Sequence, residues 1–166
     1  NVSVLRGTTG SGKTLVYFER IKKIIKKNYQ ALVLLPEIFL TNDFKSRFEE
    51  YFGFEPAIWH SKITPKQKRI IWKGIISNEV KILVGARSAL LLPFKKLGII
   101  VVDEEHDSSY KQDEGVIYNA RDMAISRARF ERIPIHLITS VPSIETYKNI
   151  QNKKYRHTKI LKRFDN

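Results

Sequence analysis

The sequence predicts an α/β domain: a doubly wound, mostly parallel sheet with helices on both faces. Three observations predict it. Short apolar runs rich in β-branched residues recur at 2–5, 31–35, 57–59, 81–84, 98–102 and 135–138. They are nearly continuous rather than alternating, the pattern of parallel strands covered on both sides. Segments of helical period lie between most of them, and such alternation builds doubly wound sheets. At 166 residues the chain fits one domain, taken as 1–166, and is long enough to bury a core.

The run at 2–5 opens the sheet, and after a glycine-rich turn Tyr17, Ile21, Ile24 and Ile25 form the apolar stripe of a first helix. The run at 31–35 ends at Pro36, and Phe44, Phe48 and Phe52, four apart, mark a second helix. The third strand is 57–59. Thr64-Pro65-Lys66-Gln67 is a capping box with proline at the first helical position, opening a helix that carries Ile71, Trp72 and Ile75. Strands at 81–84, 98–102 and 135–138 follow. The polar, basic tail from Gln151 holds one further candidate strand at 158–161. No repeat, low-complexity tract or linker interrupts the series.

Hydrophobic residues make up 42% of the chain and charged residues 28%, which reads as globular. No apolar run approaches the ~20 residues needed to cross a bilayer. The first residues read as a strand rather than a signal peptide, so the cytoplasm is the simplest expectation and no membrane partner is expected. With no cysteine, the chain has neither a disulfide framework nor a thiolate site for zinc. The formal net charge is +13, with basic clusters at 20–27, 66–73 and 153–163. Such a surplus favours a polyanionic partner. Solvated helix faces are the competing reading, and charge alone does not separate DNA from RNA or an anionic membrane.

Gly7-Thr8-Thr9-Gly10-Ser11-Gly12-Lys13-Thr14 is a complete phosphate-binding loop set between a strand and a helix. Its glycines let backbone amides wrap phosphate oxygens, and the helix N-terminus adds partial positive charge. Gly7, Thr9, Gly10, Ser11, Gly12, Lys13 and Thr14 are therefore expected to hold ATP. Lys13 would neutralise the β and γ phosphates, and the Thr14 hydroxyl would coordinate magnesium. An acidic box follows the strand at 98–102: Asp103-Glu104-Glu105-His106. Asp103 is expected to hold the magnesium, and Glu104 to polarise the water that attacks the γ-phosphate. Lys13, Asp103 and Glu104 are thus the expected catalytic residues. His106 reads as a hydrogen-bonding member of the box rather than a metal ligand.

A phosphate loop paired with an Asp-Glu-x-His box resembles the superfamily 2 helicases and translocases. The match narrows at Leu34-Leu35-Pro36-Glu37-Ile38, Trp59-His60-Ser61, Gly85-Ala86-Arg87-Ser88-Ala89-Leu90, the stretch 103–115 and Tyr118-Asn119-Ala120-Arg121-Asp122. In order and spacing these resemble the first RecA-like motor lobe of the PriA family of replication-restart helicases, over nearly the whole chain. The resemblance implies an ATP-dependent 3′-to-5′ DNA helicase that recognises forked or single-stranded DNA and serves primosome assembly. It puts Gly85, Arg87, Ser88, Pro36 and Glu37 on the DNA side of the lobe. It also makes 108–121 a single-strand sensor, with Tyr110 and Tyr118 for stacking and Lys111 and Arg121 for phosphates. Each has a competing reading: Pro36 as a strand end, Arg87 as a surface ion pair, and Tyr110 and Tyr118 as core aromatics.

Three departures from the family pattern bear on activity. The coupling motif after 135–138, commonly Gly-Ser-Ala-Thr-Pro-Ser in the family, reads Ile138-Thr139-Ser140-Val141-Pro142-Ser143. Hydroxyls remain at Thr139 and Ser140, while Val141 replaces a threonine and cannot hydrogen-bond. The family's second motor lobe with its arginine finger, its zinc-binding cysteines and its fork-binding regions do not appear in these residues. The chain alone is therefore expected to bind ATP, hydrolyse it feebly and leave DNA unwound, in concert with a second lobe and primosome proteins elsewhere. The alternatives are a nucleotide-regulated DNA-binding remnant, another superfamily 2 translocase and, most weakly, a nucleotide kinase.

Overall fold

Six apolar runs become strands because each is buried on both faces. The structure is a computed structural model that describes residues 1–112, 115 and 118–161. Parts of the stretches 103–115 and 108–121 and of the basic tail 153–163 lie outside the described residues. Along the chain run β1 (Val2–Gly7), α1 (Lys13–Lys26), β2 (Gln30–Leu34), α2 (Asn42–Phe52), β3 (Ala57–Trp59), α3 (Pro65–Ser77) and β4 (Ile82–Gly85). Then come β5 (Leu97–Val102), β6 (Lys111–Gln112), β7 (Tyr118–Asn119), α4 (Ala120–Glu131), β8 (Ile135–Thr139), α5 (Ile144–Gln151) and β9 (Arg156–Ile160). Seven strands form one sheet in the order β3-β4-β2-β5-β8-β1-β9. Every pairing in it is parallel. The short β6 and β7 pair antiparallel.

Successive strand residues point to opposite faces, which is why the runs are continuously apolar. Leu5, Val33, Val84 and Val101 pack under Tyr17, Phe18 and Ile21 of α1 and Phe44 and Phe48 of α2. Their neighbours Val4, Leu32, Leu83 and Ile100 pack on the other face with Ile75 of α3 and Ala120, Ala124 and Ala128 of α4. The capping box predicted at Thr64 forms: its hydroxyl accepts from the Gln67 amide at 3.2 Å, and the Gln67 side chain accepts from the Thr64 amide at 2.9 Å. Asn119 caps α4 and Ser143 caps α5 in the same way. Each such cap contributes on the order of 1 kcal/mol.

Because the large sheet is parallel, the carboxyl ends of β1, β2, β4, β5 and β8 open on one edge. Ligands of doubly wound sheets bind there. The phosphate loop follows β1, Pro36 follows β2, Arg87 follows β4, the acidic box follows β5, and Thr139 ends β8.

Candidate active site

The loop after β1 turns on two glycines with positive φ, Gly10 at 79° and Gly12 at 88°. Gly12 is the N-cap of α1, with no side chain capping the helix and no acidic residue in its first turn. The free amides of that turn are therefore left for an anion. Ser11 sharpens the point. It is 1% exposed, yet its hydroxyl has no hydrogen-bond partner. The Lys13 ammonium reaches back over the loop, donating to the carbonyls of Gly7 at 2.6 Å and Thr8 at 2.8 Å. Burial pulls its pKa below the ordinary lysine value, while the charges of Glu104 and Asp103 oppose that fall. Those charges place the loop and the acidic box face to face.

Tyr17 joins the two halves. Its phenol is fully buried and donates to Asp103 Oδ2 at 2.8 Å, and the Thr14 side chain hydrogen-bonds the same phenol. Burial, then the neighbouring Asp103 charge, pushes the phenol's pKa well above its usual value. Asp103 itself is pushed up to about 6, chiefly by burial and further by the Glu104 charge, with the Tyr17 hydrogen bond holding it down. Asp103 and Thr14 are thus oxygen donors gathered around one hydroxyl. Two protein oxygens, with remaining positions for phosphate and water, suit magnesium, which keeps several waters and takes one or two carboxylates. Among the described residues there is no group of three or more His, Cys, Asp or Glu side chains placed to hold a metal by themselves.

The acidic box is held by its neighbours. The Asp103 amide donates to Leu34 O at 2.9 Å and the Glu105 amide to Ile138 O at 3.1 Å, tying the box to the ends of β2 and β8. Between them Glu104 adopts φ 51°, a left-handed conformation that costs a non-glycine residue on the order of 1 kcal/mol or more. Its carboxylate lies 3.5 Å from His106 Nε2, and His106 Nδ1 is 2.8 Å from the Thr139 hydroxyl. Thr139 in turn accepts from the Val141 amide at 3.1 Å. The valine therefore joins this chain through its backbone, with its side chain exposed. Ser140 sits half-buried beside it.

Several residues expected to face DNA gather in a second cleft of about 580 Å³. Pro36, Glu37, Ser61, Arg87, Ser88 and Tyr118 line it, with the ring of Tyr110. Glu37 accepts from the Ser61 hydroxyl at 3.1 Å, drawing the ends of β2 and β3 together. Arg87 donates to Lys111 O at 2.7 Å and Ser109 O at 3.3 Å, so it pins the segment that leaves the acidic box. It forms no surface ion pair. Gly85 lies beneath the cleft. A Cβ there would come within 2.8 Å of Trp59 O, so close packing is the reason for this glycine.

Two expected DNA contacts need correction. Tyr110 is 1% exposed and its hydroxyl is spent on the carbonyls of Leu34 and Asp103, so it braces the box and offers no face for stacking. Arg121, 5% exposed, is turned inward and pairs with the fully buried Glu105 at 3.3 Å, so it does not reach a phosphate. The sequence reading missed the rest of this cluster: Glu105 also accepts from the Ser143 amide at 2.8 Å, the Ser143 hydroxyl at 3.1 Å and the Thr146 hydroxyl at 3.0 Å. The third acid of the box thus locks α4 and α5 to β5. Tyr17 was missed as a site residue too, although a tyrosine where phenylalanine would fill an apolar stripe signals a partner for its hydroxyl.

The family model for DEAD/DEAH box helicases matches residues 2–150. The chain is 51% identical over 164 residues to the replication restart protein PriA of Rickettsia felis, covering 99% of this chain and 25% of that protein. With its Bacillus subtilis counterpart it shares 44% over 154 residues, 93% of this chain and 19% of that protein. It thus spans about a quarter or less of these curated relatives. Among solved structures, the helicase MrfA bound to DNA and AMPPNP superposes with a TM-score of 0.67 at 20% identity, covering 98% of this chain and 25% of that one. RecG bound to a three-way DNA junction superposes at 0.66 and 19% identity, covering 95% and 20%. At these identities the likeness is one of fold.

Proposed function

The chain belongs to the DEAD/DEAH box helicase family, and on that premise we propose that it is the ATP-binding and ATP-hydrolysing first motor lobe of a 3′-to-5′ DNA helicase acting in replication restart and primosome assembly. The observation that carries this reading is the meeting of the phosphate loop and the acidic box at the Tyr17 phenol, beside a helix N-terminus with no cap of its own. The PriA relatives and the DNA-bound fold neighbours support it. ATP, DNA, a second motor lobe and primosome proteins are the partners, and the cytoplasm is the setting.

On this reading the amides of Gly10, Gly12 and Lys13 bind the triphosphate, and the Lys13 ammonium leaves the Gly7 and Thr8 carbonyls to neutralise the β and γ phosphates. The Ser11 hydroxyl gains an acceptor. Thr14 and Asp103 hold magnesium, which when bound neutralises charge on the transferring phosphoryl group. Glu104 orients water and takes its proton, with the carboxylate steadied by His106. DNA occupies the Pro36–Arg87–Tyr118 cleft. Arg87 connects that cleft to the acidic box through the carbonyls of Ser109 and Lys111, and the His106–Thr139 contact connects the box to the end of β8. Without an arginine finger from another lobe, which adds roughly 10³ or more, turnover is slow.

ATP turnover by the chain, with and without forked DNA, tests the proposal against Lys13→Ala. DNA-stimulated turnover that the substitution abolishes is the expected result. Turnover indifferent to DNA, or equal in the variant, refutes it.

A further inference from the structure

The basic cluster of α3 is not used by either cleft. Lys68, Arg69, Trp72 and Lys73 fall three and four residues apart, so they share one face of the helix. Trp72 is 43% exposed. Beside it, Trp59 on the edge strand β3 is half-buried, with the Lys68 ammonium 6.0 Å from its ring centroid. These five residues line a shallow depression of about 210 Å³. Arg69 and Lys73 have neither an acidic partner nor a hydrogen bond among the described residues. Three cations around an exposed indole, with no carboxylate against them, form a surface complementary to a polyanion that also carries flat apolar rings. Single-stranded nucleic acid has that chemistry: phosphates for lysine and arginine, and unpaired bases that stack on aromatic faces.

The patch adjoins the cleft already described. The Trp59 carbonyl accepts from the Ala86 amide at 3.1 Å, next to Arg87, and Ser61 two residues on lines the cleft. We propose that the α3 face formed by Trp59, Lys68, Arg69, Trp72 and Lys73 is a second contact for single-stranded DNA, over which the strand passes after crossing the Arg87 cleft. A base stacks on Trp72, and Lys68, Arg69 and Lys73 hold the phosphates on either side. The proposal rests on the reading of the chain as a DNA motor lobe.

The sequence contains two tryptophans, and both lie in this patch. Intrinsic tryptophan emission therefore reports on it directly. Titration of the chain with an oligothymidylate is expected to quench the emission. Trp72→Ala is expected to weaken binding, followed by anisotropy of a labelled strand, between about fivefold and a hundredfold, the range of a lost stacking partner. Trp72→Phe keeps a ring and retains most of the affinity, which separates stacking from any effect on folding. Lys68→Glu with Lys73→Glu flattens the dependence of affinity on salt by roughly one unit of log–log slope. Trp72→Ala binding as tightly as the parent, while Arg87→Ala binds more weakly, overturns the proposal and leaves the motor reading intact. No binding of DNA by the parent chain overturns both. Equal quenching by polyglutamate, competing with the oligonucleotide, overturns the proposal in favour of an acidic protein partner.

Discussion

Tyr17→Phe removes one hydroxyl and leaves the packed ring in place, so it isolates what the phenol does for Asp103. The carboxyl titrates at about 6 because burial raises it and the Tyr17 hydrogen bond restrains it. A hydrogen bond to a charged group is worth roughly 1.5–3 kcal/mol, so its loss moves the titration roughly one to two pH units higher. The ionised fraction at pH 7 then falls from about nine-tenths to somewhere between about a half and a tenth. Magnesium competes with the proton for this carboxylate, so apparent magnesium affinity at pH 7 drops about two- to tenfold and recovers at pH 9. Calorimetric magnesium titration of the chain with a non-hydrolysable ATP analogue, from pH 6 to 9, reads this directly. A deficit equal at pH 7 and pH 9, or none at all, refutes the role given to Tyr17.

Arg121→Ala leaves Glu105 buried without its cation. Breaking a buried pair costs on the order of 3–5 kcal/mol, and the three hydroxyl and amide donors that remain on Glu105 put the expected loss near the lower end. Urea unfolding measures it, and Arg121→Met with Glu105→Gln recovers most of it. His136 on β8 is pulled down to about 4 by burial and by the Arg20 guanidinium, which lies 2.6 Å from its Nδ1. At pH 7 the ring is neutral folded and unfolded, and contributes no slope. Below the unfolded value of about 6.5 only the unfolded chain takes the proton, so stability falls with pH down to about 4, by about 3 kcal/mol at the limit. His136→Gln removes that slope in urea unfolding between pH 7 and 4.5.

Much of this architecture is legible because large apolar residues write it. The strand runs locate β1 to β5 and β8 to within a residue or two, and the phenylalanines four apart locate α2. The helices α4 and α5 are not legible in the same way. Packing of α4 on the sheet uses Ala120, Ala124 and Ala128, small residues that allow close approach but carry little apolar signal. Edge strand β9 has an exposed, polar face and is held by backbone pairing to β1, so only its end reads as a strand. Within the site, residue types and spacing suffice for the phosphate loop and for Asp103 and Glu104. They do not reveal which tyrosine or arginine points inward: Tyr110 and Arg121 look like surface contacts until the carbonyls of Leu34 and Asp103 and the Glu105 carboxylate are placed beside them.

The measurement closest to the central claim is a double-mutant cycle of Lys13→Ala and Asp103→Asn, read as affinity for a non-hydrolysable ATP analogue with magnesium. If both groups act on one bound nucleotide, their effects are coupled by at least about 0.5 kcal/mol. Effects that add to within about 0.3 kcal/mol would place the loop and the acidic box at independent sites and contradict the account.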